Sequence, residues 1–214
     1  MYRFLIVFLP AVFIICIACN SNSNSEKEFA DSSDTKKSEQ RSMIDPDPTD
    51  TIPADGYAVY NSNLEIAAII RKSIQSDMDT ILKNAPDLIP TDERRFKYHA
   101  IDLNGDGINE LFVAPMPFNF FCGSGGCTAY LMDASGKTIT KFSVTDFPIM
   151  VANAKTGEWP DLVIYSGRKN RLVKWKSNSY PFNPSVEPEY KGDVPGTMPL
   201  VLNIFKEGYP AFTY

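Results

Sequence analysis

Residues 102–110 read Asp-Leu-Asn-Gly-Asp-Gly-Ile-Asn-Glu, with oxygen-bearing side chains at alternate places and an apolar run on either side. Such a segment is a tight turn, and its donors suit a hard cation. Calcium takes six to eight oxygens at about 2.3 to 2.6 Å, and carboxylates and amides at positions 1, 3 and 5 of a loop supply them. Asp102, Asn104 and Asp106 hold those places. Gly107 stands sixth, where the backbone bends sharply and a Cβ is unwelcome; Ile108 offers its carbonyl at the seventh position, and Glu110 is ninth. The expected metal shell is therefore Asp102, Asn104, Asp106, Ile108 and Glu110 around Ca2+. A helical EF-hand is excluded, because its twelfth position needs a bidentate acid and Val113 stands there.

The four cysteines point to a compartment. One positive charge, Arg3, precedes an apolar run from Phe4 to Ala18 that is short for a bilayer span, the layout of an export signal. The run ends in Cys16-Ile17-Ala18-Cys19, which resembles a bacterial lipobox, although Cys16 replaces the usual aliphatic residue. That resemblance implies removal of residues 1–18 and lipidation of Cys19, hence a membrane held through an N-terminal lipid. Asn20, where an Asp would mark the inner membrane of a double-membrane bacterium, points to the outer membrane.

Cys122 and Cys127 then remain. An even pair so close together in an oxidising envelope is expected to be a disulfide, and Cys-Gly-Ser-Gly-Gly-Cys has the flexibility to close so small a ring. A four-ligand metal site lacks partners, and no Gly-Lys-Ser or Gly-Lys-Thr falls at the spacing of a phosphate-cradling loop.

Residues 19–54 are expected to be a lipidated cysteine and a disordered tether, since Phe29, Met43, Ile44 and Ile52 are the sizeable apolar side chains from Asn20 to Ala54. A coil of that length reaches about 30 to 35 Å. Residues 55–214 are expected to form one globular domain. From Asp55 onward 18 acids face 16 bases with no basic cluster, so a nucleic-acid partner is not expected.

That domain reads as α+β: one N-terminal amphipathic helix packed on a mainly antiparallel β-meander, with the calcium-binding loop in a β-hairpin. Asn63 or Ser62 can cap the helix; Ile66, Ile70, Ile74, Met78, Ile81 and Leu82 recur at helical spacing, and Asn84-Ala85-Pro86 stops it. Expected strands cover residues 95–102, 110–114, 118–122, 128–133, 137–144, 148–152, 161–166, 171–176 and 200–205. Residues 153–161 echo the loop faintly: Asp161 falls under Glu110, while Lys155 replaces Asn104 and Gly157 replaces Asp106.

The pattern Asp-x-Asn-x-Asp-Gly-x-x-Glu leading into an apolar strand resembles the calcium loop of FG-GAP and VCBS-type repeats. With the Cys-Gly-x-Gly-Gly-Cys segment and the later Trp-Pro-Asp-Leu-Val strand, it is similar to bacterial envelope lipoproteins carrying one such loop. The likeness covers residues 98–131 and, more weakly, 153–175. It implies the same shell of Asp102, Asn104, Asp106, Ile108 and Glu110. A propeller is not implied, for at least four blades do not fit the length.

Catalysis has little to work with. His99 is the one histidine, and Cys122 stands where a Gly-x-Ser-x-Gly motif around Ser124 needs glycine. Glu65, Glu158 and Asp161 are the carboxylates left for glycan hydrolysis. The expected function is a non-catalytic, calcium-stabilised module binding an envelope protein or glycan. Two alternatives stand beside it: an inhibitor or immunity protein against an envelope hydrolase, which a protruding Ser124 would fit, and a calcium-dependent hydrolase.

Overall fold

The computed structural model describes residues 44–214. The expected signal segment, Cys19 and most of the expected tether lie outside the described residues. After the single turn α1 (Val59–Ser62) comes the long helix α2 (Leu64–Asn84). Asn63 caps α2, its Oδ1 accepting from the N–H groups of Glu65 at 2.8 Å and Ile66 at 3.1 Å. Asn63→Ala is expected to cost about 1 kcal/mol in chemical denaturation. Pro86, with no N–H to give, follows the end of α2. Ala67, Ile70, Ile74 and Met78 are its buried stripe. Ile81 departs from the expected stripe and is 39% exposed, Leu82 packing against the helical core in its place.

Strands β1 (Arg95–Ile101), β2 (Glu110–Met116), β3 (Cys122–Gly123), β4 (Gly126–Met132) and β5 (Thr138–Thr145) form a first sheet. Strands β6 (Ile149–Thr156), β7 (Trp159–Ser166), β8 (Lys169–Val173) and β9 (Leu200–Val201) form a second, in the order β8-β7-β6-β9. A last strand, β10 (Phe212–Thr213), returns to the first sheet beside β1. Every pairing is antiparallel.

The single expected meander is thus two sheets, and side-chain alternation explains how they stack. On β2, Leu111 and Val113 join Ile70, Ile74 and Met78 of the helix, while Phe112 and Ala114 face the other way into a core with Val151, Leu162 and Ile164 of the second sheet. On β4, Tyr130 and Met132 face the helix, and Ala129 and Leu131 face the second sheet. Helix, first sheet and second sheet form three layers, with β2 and β4 covered on both faces.

Three expected strands change. Residues 118–121 form the short helix α3 (Phe118–Phe121), because the Pro117 carbonyl accepts from the N–H groups of Phe120 and Phe121; only Cys122–Gly123 remains as strand. The expected strand over 171–176 runs as Lys169–Val173, and that over 200–205 shrinks to Leu200–Val201, where the chain turns through the Lys206 N–H to Asn203 carbonyl bond.

The folded part also includes residues assigned to the tether. Asp47 is buried, its Oδ2 accepting from the Ala211 N–H at 3.1 Å, and the Tyr57 hydroxyl donates to Asp50 at 2.7 Å. These polar contacts anchor a segment whose composition offers little apolar burial.

Candidate functional site

The β1–β2 hairpin closes at the Ile101–Glu110 pair, leaving residues 102–109 as its loop. The polar side chains of that loop turn inward onto its own backbone. Asp102 accepts through Oδ1 from the N–H groups of Gly105 at 2.7 Å and Asp106 at 3.1 Å, and through Oδ2 from Gly107 at 2.9 Å. Asn104 accepts from the Asp106 N–H at 2.9 Å, and Asp106 from the Ile108 N–H at 2.8 Å. Short Asx side chains favour such local bonds, and they draw the chain into a tight coil. The coil needs Gly105 and Gly107, whose φ angles of 88° and 86° lie in the left-handed region. Leu103 is buried and pins the loop to the core between the sheets; the Ile108 side chain points to solvent.

Glu110 lies beneath this coil, 5% exposed, with Oε2 accepting from the Leu103 N–H at 2.9 Å. Burial raises its pKa, and the nearby carboxylates of Asp106 and Asp102 raise it further. Among the described residues, no Lys, Arg or His pairs with Asp102, Asp106 or Glu110 within 4.0 Å. Nor do three or more His, Cys, Asp or Glu side chains converge there on one point. Asp102 and Asp106 instead spend their oxygens on loop amides. The donor set is nonetheless all oxygen, with a desolvated acid that lacks a counter-charge, and its chemistry fits a hard cation.

The echoing segment makes a comparison within one molecule. Residues 153–161 lie across the β6–β7 hairpin, and Asp161, 2% exposed, is buried as Glu110 is. Here a side chain supplies the positive charge: the Lys174 ammonium stands 3.6 Å from Asp161, whose other oxygen accepts from the Thr156 hydroxyl at 2.6 Å. The two turns face one another across a cleft of about 480 Å³, with Asn104, Gly105 and Asp106 on one wall and Lys155, Gly157 and Glu158 on the other. Sequence reading missed both the cleft and Lys174: Lys174 reaches Asp161 only through the register that sets Leu162 opposite Val173 on neighbouring strands, and the cleft forms only where turns of the two sheets meet.

The remaining candidates separate. Glu65 sits in the first turn of α2 on the helical layer, whereas Glu158 and Asp161 belong to the second sheet. His99 is held by its surroundings, stacked on Tyr60 at a centroid distance of 4.4 Å, with Nδ1 2.7 Å from the Tyr209 hydroxyl. Burial pushes its pKa from 6.5 down to about 4. A histidine with a folded pKa below its unfolded one opposes folding when protonated. Stability is therefore expected to fall as pH drops from 6.5 to about 4, and His99→Gln to remove that part of the dependence in denaturant midpoints.

Cys122 and Cys127 are joined as a disulfide that bridges β3 to β4. The ring is small, so Cys122→Ser with Cys127→Ser is expected to cost about 2 kcal/mol, read as a shift of the denaturation midpoint. Ser124 is exposed at the tip of this hairpin. The aromatics grouped near residue 175 belong mostly to the core edge. Trp159 and Trp175 stack at 4.0 Å, and Tyr180 meets Trp175 edge-on at 5.0 Å while its hydroxyl donates to the Pro160 carbonyl.

The chain matches no protein-family model, no curated protein and no solved structure. Among the described residues no helix is long and apolar enough to cross a membrane.

Proposed function

We propose that this chain is a bacterial envelope lipoprotein, lipidated on Cys19 after loss of residues 1–18, whose folded part is a non-catalytic binding module stiffened by one Ca2+. The ion's shell comprises the side chains of Asp102, Asn104, Asp106 and Glu110 with the Ile108 carbonyl. What supports this reading is the loop itself, wound around inward-facing oxygens over a buried glutamate with no basic partner within 4.0 Å among the described residues. The ion supplies the missing positive charge and holds the rim of the first sheet rigid; a rigid rim lowers the ordering cost of recognition. The ligand is an envelope glycan or protein. Full-length protein in mild detergent, used as bait on envelope extract with calcium and with chelator, is expected to retain a ligand only with calcium. No recovery in either condition overturns the reading.

A second reading rests on the bridged β3–β4 hairpin, which presents Ser124 to solvent at a disulfide-braced tip. A rigid protruding hairpin suits insertion into a hydrolase cleft, as an inhibitor or immunity protein requires. Slower murein hydrolysis by envelope extract on adding the protein, and restored hydrolysis with Ser124→Trp, would select this reading.

A further inference from the structure

On the helical side of the same sheet, the β4–β5 turn rests directly on α2. Gly136 makes the approach possible: its φ is 87°, and a Cβ there would stand 2.5 Å from the Ser73 hydroxyl and 2.8 Å from Ile69. The Asp133 carboxylate holds the turn in shape, accepting from the N–H groups of Ser135 at 2.9 Å and Lys137 at 3.0 Å.

Between turn and helix opens a cleft of about 620 Å³ walled by Lys72, Ser76, Asp77, Ser135, Lys137 and Thr138 among others. Its one carboxylate is already committed, since Asp77 Oδ2 accepts from the Tyr130 hydroxyl at 2.8 Å and from the Lys141 ammonium at 2.7 Å. Lys72 and Lys137 have no acid within 4.0 Å among the described residues. Two ammonium groups outside any salt bridge thus share one hydroxyl-lined recess, Lys137 also acting at longer range on the Asp133 carboxylate, whose pKa it helps to lower.

We infer that this cleft binds an acidic saccharide, with Lys72 and Lys137 receiving its anionic group and the serine and threonine hydroxyls its sugar hydroxyls. The inference rests on the binding-module reading and names its ligand class. Opposed charge draws such a ligand in, and closely spaced hydroxyl groups give it direction. The walls hold no aromatic ring, so a peptide finds none of its usual anchors. The Leu111–Met132 pairing brings this turn to the end of the sheet that carries the Asp102–Glu110 loop, so cleft and loop share one rim.

The test is calorimetric titration of the full-length protein in mild detergent with hexagalacturonate, against maltohexaose as the neutral control and inorganic phosphate as the small-anion control. Hexagalacturonate is expected to bind and maltohexaose not. The double variant Lys72→Ala, Lys137→Ala is expected to lose at least tenfold in affinity with an unchanged melting curve, because both side chains are exposed. Equal binding of the two hexasaccharides, no binding of hexagalacturonate, or wild-type affinity in the double variant overturns the assignment; so does binding of phosphate alone. Neither lysine belongs to the calcium loop, so a negative result here leaves the calcium response intact. Ligand capture that survives the double variant would likewise sink only this inference.

Discussion

Calcium at about 10 mM is expected to raise the melting temperature of chelator-treated protein by about 3 to 10 °C, and Asp106→Ala to remove that rise. The size follows from an affinity of about 0.1 to 1 mM, ordinary for extracellular sites and reasonable where the twelfth-position acid is missing. Mass action then contributes about 1.4 to 2.7 kcal/mol, and a domain of this length moves about 2 to 4 °C per kcal/mol. Asp106 is the informative position. Its carboxylate fixes the Ile108 N–H and adds to the charge pressing on Glu110, so its loss both loosens the turn and removes a donor. The variant will melt lower in chelator as well, by about 1 kcal/mol for one lost bond, and the quantity to compare is the calcium-dependent difference. Magnesium, which demands a near-octahedral shell and parts reluctantly with water, is expected to give a smaller rise. Coincident wild-type curves in calcium and in chelator would refute the site.

Phe112→Ala is expected to lose about 3 to 5 kcal/mol, measured as a shift of the denaturant midpoint. Phe112 lies on the middle strand of three layers, wholly buried against the second sheet, while its neighbours Leu111 and Val113 are buried against the helix. No flexible surface lies nearby to collapse into the space a missing ring leaves. Ile108→Ala, four residues upstream and exposed in the loop, is expected to stay within about 0.5 kcal/mol. A cost below about 1 kcal/mol for Phe112→Ala would mean that the two sheets do not pack face to face.

The helix and most strands were legible because their cues are local. Asn63, the spacing of Ile70, Ile74 and Met78, and Pro86 mark α2 from within the segment, and the polar run from Asp102 to Glu110 marks its hairpin. What escaped depends on contacts distant in sequence. Leu111 to Ala114 is an unbroken apolar run, as a strand buried on both faces must be, and such a run does not say which layers cover it. Residues 118–121 are aromatic enough for a strand, yet the Pro117 carbonyl winds them into a helical turn. β10 is two residues long and follows Pro210, too brief to carry a period. At the candidate site the oxygen-bearing side chains of the loop could be read directly, whereas the Lys174 counter-charge depends on the β7–β8 register and the cleft at Lys72 and Lys137 on the β4–β5 turn meeting α2.

The bond between Asp47 and Ala211 fixes where the described chain joins the first sheet. It lies beside the Arg95 end of β1, where Arg95 pairs with Thr213 and reaches the Thr49 hydroxyl at 3.3 Å, while the Asp102–Glu110 loop sits at the Ile101 end, about 20 Å along the strand. The described chain therefore enters the first sheet at one pole while the Asp102–Glu110 loop occupies the other, so a load applied at Asp47 falls on the Arg95 end of β1 and spares the hairpin loop.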